Sequence, residues 1–124
     1  MWRYEQSTGL LRHNGAAVGT GYSGLDTPEV LGKNNPAAQE IHGIGPLPVG
    51  KYSIGAAYHD PELGPMAMHL TPDPENQMYG RSAFLIHADS YQHPGYASHG
   101  CIVLGPALRK SIAESGDTAL EVVA

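Results

Sequence analysis

Apolar positions in the first part of the chain come in short runs: Trp2-Arg3-Tyr4-Glu5, Leu10-Leu11-Arg12-His13, and residues 17–22. Ser7-Thr8-Gly9 and Asn14-Gly15 separate them. Gly and Asn accept the positive φ angles of tight turns, so this spacing predicts successive hairpins and a three-stranded meander. Residues 23–48 are crowded with Gly, Pro and Asn and predict a long irregular loop, of the length that in compact domains is functional or mobile. Strand patterns resume at 50–55 and 66–70, with Pro61, Pro65 and Pro72 as boundaries. A polar loop over 71–77 leads to the apolar run 83–87, read as a buried strand ending in His87. Cys101-Ile102-Val103-Leu104 reads as the next short strand. Residues 106–115 read as a helix, with Pro106 in the first turn and Gly116 as its stop, and 118–123 as a last strand that closes the sheet. The pattern predicts a mainly β fold, a twisted sandwich or partial barrel with one short C-terminal helix.

Composition narrows the function classes. At 124 residues, one domain over 1–124 is the economical reading. A net charge of -5, with Lys and Arg scattered, offers no basic field for phosphates, so nucleic acid is not an expected partner. No apolar run reaches the roughly 18 residues of a membrane-spanning helix, so no membrane insertion is expected. Residues 1–7 lack the pattern of a secretory signal peptide, and action outside the cytoplasm would then require another export route. The single cysteine excludes an intrachain disulfide and leaves a free thiol that is either core filler or a chemical group.

The chemistry concentrates in 84–104. A histidine ends one apolar strand and the only cysteine begins the next, so adjacent strands would bring imidazole and thiol together. An ordinary thiol, with a pKa of about 8.5, is only a few per cent thiolate at neutral pH, and a neighbouring imidazole can remove its proton. Gly100 permits a close turn that would aim the Gly100 and Cys101 N–H groups at an oxyanion. An alternative reading groups His87, Asp89, His93 and His99 as zinc ligands. His13, His42, His59 and His69 fall in unrelated segments and read as surface or loop residues.

At these residues the chain resembles the L,D-transpeptidases, whose signature is a histidine, a spacer, then Ser/Thr-His-Gly-Cys and an apolar residue. Here these are His87 and Ser98-His99-Gly100-Cys101-Ile102. More specifically, residues 2–104 are similar to the Tlde group of type VI secretion effectors, through the early Ser-Thr-Gly hairpin, Gly19-Thr20-Gly21-Tyr22-Ser23-Gly24, Gly32-Lys33-Asn34-Asn35-Pro36, the block 45–50, and Tyr79-Gly80-Arg81-Ser82.

The resemblance implies an L,D-transpeptidase-like fold with no cofactor, acting on peptidoglycan tetrapeptide stems. Cys101 would be the nucleophile and His87 its base. Ser98 and His99 would shape the pocket floor, and Tyr79 and Arg81 would hold substrate, Arg81 by forking onto a terminal carboxylate. Hydrolysis of the thioester would give L,D-carboxypeptidase activity, and attack by a D-amino acid would give exchange. The resemblance further implies delivery by a type VI secretion apparatus into the periplasm of a target cell, and a cognate immunity protein. Two departures stand out. Ala88 follows the base histidine where a hydroxyl residue is common, leaving its carbonyl or Asp89 to orient the imidazole, and Val103 occupies a position that often carries Asn. Two other classes compete: a zinc-dependent amidase or peptidase, and a non-catalytic wall-binding or phage-structural module.

Overall fold

The computed structural model describes residues 1–124. The predicted meander forms β1 (Trp2–Glu5), β2 (Leu10–His13) and β3 (Ala16–Thr20). The run 17–22 divides at Gly21, and Tyr22–Ser23 becomes a separate strand, β4. Strands β5 (Gly50–Ile54), β7 (Gly64–Pro72), β8 (Phe84–His87) and β9 (Ile102–Val103) follow the predicted runs. The short β6 (Tyr58–Asp60) had no alternating pattern to announce it. It pairs with β7 across a turn in which the Asp60 carboxylate accepts from the Glu62 and Leu63 N–H groups. Helix α1 (Pro106–Ser115) ends as predicted at Gly116, whose φ of 69° suits a residue without a Cβ.

The sheet order is β3-β2-β1-β10-β5-β7-β8-β9-β4, where β10 is Ala119–Val123. Only Gly21 separates the two strands at its ends, so the sheet curls until its edges nearly meet, as a barrel-like sheet. Gly21 is required at this seam: a Cβ there would fall 2.1 Å from the Val103 carbonyl oxygen. Strand β10 does not close the sheet, as the sequence pattern led one to expect. It lies in the middle, parallel to β1 and antiparallel to β5.

Alternation explains the core. In β1, Trp2 and Tyr4 point inward while Arg3 points out and pairs with Glu121 on β10. Leu11, Phe84, Ile86 and Ile102 join them, and α1 lays Ile112 onto the same cluster. Each such apolar side chain contributes roughly 1.5–3 kcal/mol by leaving water. No helix is long and apolar enough to cross a membrane.

The loop 23–48 is fastened rather than free. Asn35 caps a 3₁₀ turn at Pro36–Ala38 by accepting the Ala37 N–H, and Asp26 and Leu31 form an isolated bridge. At its two ends the buried Ser23 hydroxyl donates to the Gly100 carbonyl at 2.9 Å and accepts the Leu47 N–H at 2.8 Å. The loop therefore frames the turn that carries Cys101.

Candidate active site

Strands β8 and β9 run parallel with Ile86 opposite Ile102 and His87 opposite Val103. Cys101, just before β9, therefore comes level with Leu85. Its Sγ accepts the Leu85 N–H at 3.3 Å, where a longer β9 would have placed a carbonyl. The turn before it is tied by Ser98, whose buried Oγ accepts the Gly24 and Gly100 N–H groups at 2.9 and 3.1 Å and donates to the Cys101 carbonyl at 2.6 Å. Gly100 has φ 133°, and a Cβ there would lie 2.5 Å from an Arg81 terminal nitrogen and 2.7 Å from the Phe84 ring. Only glycine fits. Because Ser98 takes the Gly100 N–H, the expected pair of oxyanion donors is reduced to one: the Cys101 N–H, which has no partner in the chain.

Arg81 departs from its expected role. Its side chain is 6% exposed, and its two terminal nitrogens donate to four carbonyls, those of Gln39, Gly45, Pro46 and His99. The guanidinium also stacks over Phe84 at 5.2 Å. With its fork spent on the backbone, it is not free to clamp a substrate carboxylate. It is instead a buried cation with no acidic partner, clamping the frame loop onto the cysteine turn and pulling the Cys101 thiol pKa down. Burial is the larger influence on that thiol and, against Arg81 and the Leu85 N–H, leaves its pKa above the usual value. Cys101 is a neutral thiol at rest.

His87 is 2% exposed, and its Nδ1 lies 2.7 Å from the Ala88 carbonyl. That carbonyl requires the proton on Nδ1, which leaves the Nε2 lone pair as the basic site. Burial lowers the imidazole pKa and nearby Arg109 lowers it further, against the Ala88 carbonyl, so His87 is neutral at pH 7. Adjacent strands carry the two groups, but no hydrogen bond joins them at rest: Sγ is held by Leu85 and Nδ1 by Ala88.

Two open clefts lie at the two ends of β8, with no lining residue in common. One, of about 330 Å³, is lined by Cys101, His99, Phe84, Arg81 and His42. The other, of about 460 Å³, is lined by His87, Arg109, Tyr91, Asp89 and Glu62. Ala83, on the first, has φ 65°, a left-handed conformation that costs a residue with a Cβ roughly 1–2 kcal/mol. The second is rimmed by the fully exposed Tyr91.

The remaining expected residues sort as follows. His99 lines the Cys101 cleft, with Nδ1 3.0 Å from the Gly43 carbonyl. Tyr79 lies in the adjoining turn and not on the cleft: its carbonyl is bound by His42 at 2.6 Å. Asp89 does not orient His87. It accepts from the Tyr22 hydroxyl at 2.7 Å and from the Ser90 and Gly95 N–H groups, organising the loop after β8. His87, Asp89, His93 and His99 do not converge, and no three His, Cys, Asp or Glu side chains form a metal-binding group. Sequence reading missed Arg109 and Ser23. Arg109 sits three residues before Ile112 and therefore on the inward stripe of α1, a spacing visible in the sequence. Ser23 had no local signal, since both its partners are distant.

Residues 18–115 match the model of the Tlde1 domain. No curated protein matches the chain significantly. Among solved structures, it is similar to the helical cell shape determining protein Pgp2 from Campylobacter jejuni, with a TM-score of 0.61 and 19% identity. That superposition covers 98% of this chain and 46% of the other, so the chain spans less than half of that protein. It establishes the L,D-transpeptidase-like fold, with its nearly closed sheet and one helix. Because the family model takes in the cysteine turn, His87 and the framing loop together, the chain belongs to the Tlde1 domain family of type VI secretion effectors.

Proposed function

We propose that the chain is a peptidoglycan-targeting antibacterial effector domain, a cysteine-nucleophile L,D-carboxypeptidase and exchange transpeptidase acting on tetrapeptide stems. Family membership supports the first part and the site geometry the second. The observation that carries the chemistry is the Cys101 turn: a thiol fixed at a cleft mouth beside an uncompensated buried cation, one strand from a neutral imidazole with a free Nε2.

Substrate binding brings the scissile amide carbonyl over Cys101. His87 Nε2 takes the thiol proton as sulfur attacks, and the Cys101 N–H stabilises the developing oxyanion. The C–N bond to the terminal D-alanine breaks, and the imidazolium returns its proton to the departing amine. A thioester to the residue at position three remains. Water attacking it, with its proton passing to His87, yields the tripeptide and free thiol. A D-amino acid attacking through its amine yields the exchanged tetrapeptide. In this reading the domain acts in the periplasm of the target cell, reached by the type VI apparatus, and a cognate immunity protein protects its producer.

The test is mass spectrometry of disaccharide tetrapeptide incubated with the protein and with Cys101→Ala, with and without D-methionine. Conversion to tripeptide or to a D-methionine adduct by the intact protein alone is expected. An unchanged tetrapeptide would overturn the assignment.

A further inference from the structure

The reaction just described needs something to receive a carboxylate. Both the departing D-alanine and an incoming D-amino acid carry one on the carbon that bears the reacting amine. Arg81 cannot supply it, since its terminal nitrogens already serve four carbonyls.

Arg109 can. It is 5% exposed, yet it is spent differently. Its Nε donates to the Leu104 carbonyl at 3.0 Å and one terminal nitrogen to the Pro65 carbonyl at 2.7 Å. A guanidinium has five N–H groups, so three remain without a partner, including both on the second terminal nitrogen. No acidic side chain pairs with it. Two carboxylates line the same cleft and neither neutralises it. Asp89 is engaged by Tyr22, Ser90 and Gly95, and Glu62 stands on the exposed rim. The two backbone bonds hold the guanidinium in place, and Arg109 lines the same cleft as His87. A buried cation without a counter-ion is costly unless a ligand supplies the charge.

We propose that the cleft beside His87 is an α-amino-acid subsite, in which the free edge of Arg109 takes the carboxylate as a fork while His87 exchanges the proton of the neighbouring amine. This rests on the reaction proposed above and names its specificity: the leaving or entering group must present a free carboxylate. An amide has one acceptor oxygen where the carboxylate has two, and no charge to offer.

The test varies the ligand, so it survives any loss of folding in an Arg109 variant. Cys101→Ala protein is titrated with D-methionine and with D-methioninamide while the Arg109 Nε and His87 ring resonances are followed by NMR. Saturable shifts with D-methionine, and at least tenfold weaker binding of the amide, are expected. Equal binding of the two, or no shift in this cleft, overturns the subsite. In parallel, the intact protein is given tetrapeptide with either acceptor, and D-methioninamide should show a KM at least tenfold higher. Exchange that accepts acid and amide alike would leave the reaction standing and remove the subsite. An untouched tetrapeptide together with selective binding of D-methionine would remove the thioester reading and leave the subsite standing. Arg109→Gln, checked for folding by its melting curve, should erase the difference between acid and amide.

Discussion

Cys101 and His87 are both uncharged at neutral pH, and burial is the main influence that pushes each further toward its neutral form. In the proposed reaction the pair therefore begins as thiol and imidazole rather than as an ion pair, and the proton moves only when a substrate is attacked. The pH profile should show this. His87 titrates below its ordinary 6.5, so kcat/KM should hold level at pH 7 and fall only below pH 6.5. His87→Ala should lose about 10²–10⁴-fold in kcat at pH 7, the usual worth of a general base. Steady-state assays across pH 4–9 would check both, and a profile already falling between pH 8 and 7 would contradict the buried neutral imidazole. The placement of these two residues on adjacent strands was legible in the sequence because the apolar runs that carry them are local. The true work of Arg81 was not: the carbonyls it binds belong to residues 39, 45, 46 and 99, which only the fold brings together.

At the scale of elements, the cysteine turn is held from outside itself. Its own residues supply only the Ser98 bonds, while Ser23, Gly24 and Arg81 provide the rest. Replacing Arg81 by Met would leave four carbonyls without their donor in a largely buried setting. It should cost about 3–5 kcal/mol by denaturant unfolding. It should also raise the thiol pKa, since the cation beside Cys101 is gone, and iodoacetamide labelling at fixed pH would slow accordingly. Arg81→Lys should restore little, because an ammonium cannot span carbonyls on two sides. Sequence patterning located the strands on both sides of this turn, since alternation is a local signal. It left open how the 23–48 segment is held, because Gly, Pro and Asn announce irregular backbone without saying whether that backbone is tethered.

At the scale of the molecule, stability should follow pH in two stages on the acid side. The unfolded chain takes a proton on His87 near 6.5, and the folded chain only at lower pH, so acidification below 6.5 favours unfolding. Asp117, held at about 2 by the N-terminal ammonium and His13, adds a second loss as pH falls from 3.8 toward 2. Melting temperature should therefore be flat between pH 6.5 and 8, fall in both acid windows, and fall again in alkali as the unfolded chain ionises Cys101 first, and circular dichroism would read it. The topology itself was not legible: the patterns of β1, β5 and β10 say that each is a strand, but not that β10 lies between the other two. Gly21→Ala, forcing a Cβ onto the Val103 carbonyl, should cost about 3 kcal/mol in the same unfolding experiments.

The pairing of β4 with β9 has a consequence for when the cysteine turn takes shape. The bonds that frame the Cys101 turn join residues 77 and 74 apart in sequence, and they form where β4 is laid beside β9. No fragment and no half-assembled chain contains the site. Until β4 lies beside β9, the chain holds a thiol and an imidazole but not the turn that fixes Cys101.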